Sequence, residues 1–397
     1  MAPELKHFFD ARVVGSVADD LRRVRRSLDR EAFLAECLDG LGELELLARA
    51  WRIADVMRRH LPARFPAAAR VIVSSLGPPL GSAETFGMEP FRYLPHVFYV
   101  SRHGLDHFEP SMEALRELTR RFTSEYGIRP FLERHPERTL ERLRTWARDP
   151  DVHVRRLVSE GTRPRLPWAP RLRSLQADPA PGLALLELLR DDPERYVQRS
   201  VANHLNDVGK DHSGLLVDTC RRWSVDAPAG RRWIVGHALR SLVKRGDREA
   251  LGVLGFGKAA PFRVENVRLA PRRVRIGDRL TFSLDLVNPS RRPACLLVDY
   301  AVHFVKASGE ARPKVFKLRR VELPAGGRAA LRGTVSFAPM TTRRHHPGRH
   351  RIDLLVNGVA RPLGAFDVDP EKERPRSGRS RTAAFGAARE RGSATGR

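Results

Sequence analysis

The spacing of apolar residues changes once along the chain, and that change limits the fold more than any other feature. From Val17 to about Gly255 they recur at intervals of three and four, as in Leu140, Leu143 and Ala147 or Leu183, Leu186 and Leu189. That spacing lines one face of a helix. From Phe262 to Val368 the interval falls to two, as in Leu280-Thr281-Phe282-Ser283-Leu284-Asp285-Leu286, with turn clusters such as Asn288-Pro289-Ser290 and Pro347-Gly348 between runs. About seven short strands over roughly a hundred residues predict an immunoglobulin-like or fibronectin-like sandwich. Past Pro370 the chain is mostly Arg, Gly, Ser and Ala with one aromatic, Phe385, and cannot bury enough surface to order itself. The expected organisation is multidomain: an all-α HEAT-like repeat solenoid over residues 1–258, an all-β immunoglobulin-like sandwich over 259–370 and a disordered basic tail over 371–397.

The helical region repeats itself. Asp149-Pro150 is followed by Val154, Arg156 and Val158, and Asp192-Pro193 by Val197, Arg199 and Val201 at the same offsets. A looser copy sets Asp226 near Pro228, then Arg232 and Ile234. Each unit is expected to start with Asp capping free N–H groups and Pro at the first helical position. The Arg-to-Arg intervals of 43 and 33 residues suit two-helix repeats, which stack into a curved solenoid with a concave face. On that face Arg156 and Glu160, four apart, would share one side of a helix, followed by Arg163 and Arg165. The ordinary alternative is a solvated ion pair of little worth. Arg199 would take the same place one repeat later, making a ladder of guanidinium forks for phosphates, with Asn203, Asn206 and Asp207 at its helix end.

Charge points the same way. The formal charge is +25, from 72 Lys plus Arg against 47 Asp plus Glu. Only 8 of the basic residues are Lys, an Arg bias that a GC-rich genome also produces. The tail carries +5 of the charge, so most of the excess sits on the folded segments, and a polyanion is the default partner. Cys37, Cys220 and Cys295 are odd in number and lack metal-ligand spacing, which argues against a zinc site or a disulfide framework. The amino terminus lacks a signal-peptide pattern and no run of 18 apolar residues occurs, so a soluble cytoplasmic protein without a membrane partner is expected.

Several long strings carry a family resemblance. Glu125-Tyr126-Gly127-Ile128-Arg129-Pro130-Phe131, Arg134-His135-Pro136, Val154-Arg155-Arg156-Leu157, the run from Ser159 to Trp168 and the run from Ser200 to Asp207 resemble the AlkC branch of the bacterial DNA alkylation repair glycosylases. The likeness extends to the Leu5–Pro79 segment and to the sandwich, through Val305-Lys306-Ala307, the run from Lys314 to Leu318 and Thr341-Thr342-Arg343-Arg344. It implies a monofunctional DNA-3-methyladenine-type glycosylase of base excision repair. Such an enzyme hydrolyses the N-glycosidic bond of cationic alkylated bases, N3-methyladenine and N3-methylcytosine, and leaves an abasic site. It implies action on double-stranded DNA with the lesion still in the helix, unlike the usual base-flipping pattern, and a monomer needing no metal or cofactor. By motif match the catalytic carboxylates would be Glu125 and Asp207 near the sugar, with Tyr126, Arg156, Glu160 and Trp168 at the lesion or sugar. Arg163, Arg165, Arg199 and Lys210 would bind DNA from the helical region.

The implied chemistry asks for these residue types. Breaking the C1′–N bond neutralises the cationic base and moves positive charge onto the deoxyribose. A carboxylate about 4 Å away gains roughly 4 kcal/mol at an effective dielectric of about 20, on the order of a thousandfold in rate. It can also orient a water as general base, and an aromatic such as Trp168 can offer its ring face to the charge. The leaving base needs no proton donor, and with no lysine in the matched cluster a Schiff-base lyase step is not expected. Each residue keeps an ordinary alternative: Glu125 as a solvated helix end, Asp207 as a cap for the next helix, Trp168 as packing between repeats.

In the sandwich, Arg343, Arg344, His345, His346, Arg349, His350 and Arg351 crowd the Pro347-Gly348 turn, with Lys306, Arg312, Lys314 and Lys317 on neighbouring strands or loops. Lys314, Lys317, Arg343, Arg344 and Arg349 are expected to contact phosphates, and the resemblance implies that this domain helps to encircle DNA. His345 and His346 are expected to be solvated polar contacts, not metal ligands. The competing function is a non-catalytic HEAT-repeat DNA-binding scaffold, and a third is a protein-interaction solenoid. Steep loss of binding with added salt would mark DNA as the partner.

Overall fold

The computed structural model describes residues 5–81, 87–256, 261–340 and 344–371. The chain divides into two compact units that part near residue 259. The first is all-α, with helices from Ala11–Val24 to Arg248–Val253 around one continuous core that runs from Phe9 to Ala250. Apolar positions spaced for one helical face do enter that core: Leu143, Val154, Val158, Leu186, Leu189, Val197 and Val201 are all buried. Helix starts follow capping chemistry where an Asp precedes them. Asp10 accepts from the N–H of Val13 at 2.8 Å, and Asp29 from those of Glu31 and Ala32 at 3.0 Å.

The repeat obeys its apolar pattern but not its expected cap. The helix Val152–Gly161 is capped by Asp151, which accepts from the N–H of His153 at 2.9 Å, and Pro150 lies ahead of the helix. Asp149 instead accepts from the N–H of Asp151 at 2.9 Å, and Asp192 likewise from that of Glu194, so each Asp-Pro pair builds a side-chain turn two residues upstream of the helix. The same carboxylates also bind the previous helical layer. Arg116 Nε reaches Asp149 at 2.7 Å, and Arg155 Nε reaches Asp192 at 2.7 Å. The aspartates are stitches between successive repeats, which explains their fixed spacing better than capping does.

The second unit is a two-sheet sandwich with, among the described residues, eight strands: β1 (Arg263–Ala270), β2 (Arg273–Arg275), β3 (Arg279–Val287), β4 (Ala294–Val305), β5 (Ala311–Leu323), β6 (Arg328–Ser336), β7 (Gly348–Val356) and β8 (Val359–Asp369). One sheet runs β1-β3-β6 and the other β2-β8-β7-β4-β5. The three-residue β2 pairs in parallel with β8 and is too short to show an alternating pattern. Period-two alternation in β3 buries Leu280, Phe282, Leu284 and Leu286 between the sheets. His345 departs from expectation, and His350 lies beside it. Both are buried, His350 fully, among the rings of Phe304 and Phe337, with Phe366 against His350, so they belong to the core of the sandwich and not to its solvated turn. Arg343 and the tail from residue 372 lie outside the described residues.

Candidate active site

Three segments of the helical unit meet at the site: the loop Thr123–Gly127, the helix Val152–Gly161 with the loop that follows it, and the helix Arg195–Val208. The first loop is fixed from below. Ser124 Oγ donates to the Leu115 carbonyl at 2.9 Å, and a Cβ on Gly127 would lie 2.6 Å from Leu115 and 2.8 Å from Val97, so no larger residue fits there. This holds Glu125 toward the second segment.

From Glu125 a chain of alternating charges crosses the two helices. Arg156 Nη1 donates to Glu125 Oε2 at 2.8 Å, and Thr123 Oγ1 donates to the same oxygen at 2.8 Å. Arg156 Nη2 is 3.6 Å from Glu160 Oε1, and Arg163 Nη1 donates to that oxygen at 2.7 Å. Ser200 Oγ donates to the other Glu160 oxygen at 2.5 Å. Arg163 Nε then reaches Asp207 Oδ2 at 2.8 Å, and Lys210 Nζ reaches Asp207 Oδ1 at 2.7 Å. Burial raises the Glu160 carboxyl pKa, but Arg156 and Arg163 outweigh it and hold the group below the ordinary carboxylate range. Burial likewise opposes the charge on Arg156, while Glu125 and Glu160 hold its pKa above the ordinary value. Glu125, Arg156, Glu160, Arg163, Asp207 and Lys210 thus form one network, and neither a solvated Arg156–Glu160 pair nor a solvated helix end at Glu125 describes it.

Access within the network is unequal. Glu125 lines a cavity of about 180 Å³ together with Thr123, Tyr126, Arg156, Trp168 and Tyr196. Its Oε1 has no partner among the described residues. Asp207 is only 2% exposed with both oxygens engaged, and it does not cap the next helix, Ser213–Ser224, which starts without a side-chain cap. Arg156 faces the cavity beneath the Tyr196 ring, its guanidinium carbon 5.1 Å from the ring centre. Burial pushes the Tyr126 hydroxyl up to about 12.

Trp168 is 66% exposed at positive φ, which excludes its role as interior packing between repeats. The loop that carries it is clasped by Arg129. This buried guanidinium donates to the carbonyls of Gly161 at 3.2 Å and Arg163 at 2.9 Å, and to that of Pro170. Burial lowers its pKa to about 10. Tyr126 adds a hydroxyl contact to the Pro167 carbonyl at 3.3 Å. Sequence reasoning missed Thr123, Arg129, Tyr196 and Ser200. Arg129 and Ser200 stood inside the family-like strings, but their partners lie 32 to 41 residues away.

The remaining expected contacts lie apart from this network. Arg165 is paired with Asp211, its Nε 2.9 Å from Oδ2. Arg199 is exposed and makes no ion pair among the described residues. In the sandwich, Lys314 and Lys317 are exposed on β5, an edge strand, while Arg344 and Arg349 are exposed before and at the start of β7. Cations on an edge strand also discourage pairing with a foreign strand. Among the described residues no three His, Cys, Asp or Glu side chains cluster as metal ligands, and no helix is long and apolar enough to cross a membrane.

Fold and site together define a helical-repeat protein with a buried ionic centre, joined to an immunoglobulin-like domain. Residues 263–370 match the family model described as the C-terminal Ig-like domain of the uncharacterised protein YhaZ. The chain is 32% identical over 369 residues to the uncharacterized protein YhaZ of Bacillus subtilis (strain 168), across 92% of this chain and 99% of that one. It is also similar to the solved structure of the Pseudomonas fluorescens alkylpurine DNA glycosylase AlkC bound to DNA containing an abasic site analogue. That match has 35% identity, covers 92% of this chain and 100% of the other, and has a TM-score of 0.84. The chain belongs to the AlkC-like family, whose members here include YhaZ.

Proposed function

We propose that this chain is a monofunctional DNA glycosylase that hydrolyses the N-glycosidic bond of cationic alkylated bases, N3-methyladenine and N3-methylcytosine, in double-stranded DNA. The observation that carries the reading is Glu125: a carboxylate fixed through one oxygen by Thr123 and Arg156, with the other oxygen unpaired among the described residues, at an aromatic-lined cavity. The similar Pseudomonas enzyme acts as an alkylpurine DNA glycosylase on this fold.

When the C1′–N bond breaks, its electron pair leaves with the base and cancels the positive charge there, while the sugar becomes oxocarbenium-like. Glu125 stabilises that charge and accepts the proton of the water that adds to C1′, which yields an abasic site. Tyr126, Tyr196 and Trp168 supply ring faces around the cation without competing for its charge. Arg156 and Glu160 hold the carboxylate in place. Asp207, with both oxygens taken, acts as a positioning residue through Arg163. Lys210 does reach this network, contrary to the expectation of a lysine-free cluster, but it is committed to Asp207 and does not line the Glu125 cavity. Arg165 and Arg199, with Lys314, Lys317, Arg343, Arg344 and Arg349 in the sandwich, are the proposed phosphate contacts, whereas Arg163, buried between Glu160 and Asp207, and Lys210, paired with Asp207, serve the network instead of the expected phosphate. The protein acts as a monomer without metal or cofactor and with the lesion kept in the helix.

The test is incubation with duplexes carrying each methylated base, followed by alkaline cleavage. Abasic sites form in EDTA, and borohydride traps no covalent adduct. Tight, salt-sensitive binding with no abasic product would favour the non-catalytic scaffold instead.

A further inference from the structure

A second cavity, of about 420 Å³, shares Leu47, Tyr126 and Trp168 with the cavity of Glu125. Its volume falls in the range of small-molecule sites, about 300–1,000 Å³. One wall is a fixed stack. The rings of Trp51 and Phe98 lie 4.1 Å apart with planes 11° from parallel, and the Arg102 guanidinium carbon sits 4.0 Å from the Trp51 ring centre. Asp55 pairs with Arg102 and holds it there, yet its side chain remains 46% exposed. Across the shared wall, Trp168 is held out of the core by the Arg129 clasp. Leu105 and Pro130 add apolar surface, and exposed Glu133 supplies an acceptor at the rim.

This lining selects its ligand. A planar ring stacks on guanidinium and indole alike. Ring acceptors meet the donors of Arg102, and an exocyclic amine meets Glu133. A phosphate would meet Arg102 but also the Glu133 carboxylate and mostly apolar walls, and an aliphatic chain would leave Arg102 without a polar partner in the cavity. We propose that this cavity is a second ligand site, for a planar heteroaromatic ring of nucleobase size. The ring has two sources, the free base released by excision or an unpaired base of bound DNA. Only the first source rests on the glycosylase reading. Because Tyr126 and Trp168 face both cavities, occupancy of one bears on the other.

The experiment is calorimetric titration of the full chain in two arms. One uses free 3-methyladenine. The other compares a duplex whose abasic site faces adenine with a duplex whose abasic site faces a second abasic site. Wild type is expected to bind the free base saturably, or to prefer the duplex that keeps the facing adenine. Arg102→Ala and the cavity-filling Leu105→Trp weaken that binding or preference by about tenfold or more, with circular dichroism unchanged. Absence of both signals in wild type, or equal signals in both variants, would overturn the proposal. Excision of methylated DNA by the same preparation separates the two ideas. A chain that excises but recognises no ring sinks the second site alone, whereas one that binds the ring and excises nothing sinks the glycosylase reading alone.

Discussion

Arg156 and Arg199 occupy the same position in successive repeats, seven residues after an Asp-Pro turn, and they end in opposite environments. Arg156 is bound by Glu125 and Glu160 and stacks on Tyr196, whereas Arg199 is exposed with no ion pair among the described residues. The backbone does not cause the difference, since Val154 and Val158 in one repeat and Val197 and Val201 in the other are equally buried. The cause is what stands four residues on. Glu160 follows Arg156, but the neutral Asn203 follows Arg199 and is itself taken by Arg240 Nη2 at 2.9 Å. A repeat fixes where a side chain starts, and its neighbours decide whether it joins the ionic network or stays exposed.

Removing the acid from the first repeat should break this contrast most severely. Glu160→Gln leaves Arg156 and Arg163 partly uncompensated in a buried place, and a loss of about 3–5 kcal/mol in urea unfolding is expected. The pH dependence sharpens the point. Because the folded carboxyl of Glu160 lies below its ordinary value of 4.5, its stabilisation is complete above that pH and lost as pH falls through the folded value. The variant should therefore lose less stability than wild type on acidification across that window. An unchanged acid limb would show that Glu160 is not ion-paired in solution.

Arg129→Met should have the next largest effect, since one helix-end and two loop carbonyls lose their donor. About 1–3 kcal/mol of destabilisation is expected, along with a red-shifted, more easily quenched Trp168 emission. Excision should slow with abasic-DNA affinity nearly kept, a split that simple unfolding would not produce.

At the small end, Arg199→Ala should change stability by no more than about 0.5 kcal/mol. It should also lower the salt slope of DNA binding by about one. The same slope change in Arg156→Ala, without loss of stability, would erase the distinction between the two arginines.

Much of this was legible in the chain because the signals are local. The change from helical to strand spacing marks the two units, and burial of the valines in both repeats follows from their offsets. Glu125, Arg156, Glu160, Arg163 and Asp207 were legible through family-like strings, but Lys210 as a member of their network and the wiring of the whole were not. Ser200 meets Glu160, and Thr123 meets Arg156, only after segments 33 to 40 residues apart come together. The Asp-Pro turns misled because Asp149 and Asp151 each bind a backbone N–H two residues on, and nothing in the sequence tells a turn from a cap there. His345 was misplaced because arginines surround it in sequence while phenylalanines surround it in space.

The asymmetry between the repeats matters for function only if the acid held by Arg156 is the one that meets the sugar. Single-turnover excision of N3-methyladenine or N3-methylcytosine from duplex DNA, comparing wild type with Glu125→Gln, tests that directly. The predicted result is an abasic site from wild type and a rate on the order of a thousandfold lower in the variant, with affinity for abasic DNA nearly intact. Equal rates in the two proteins would contradict it.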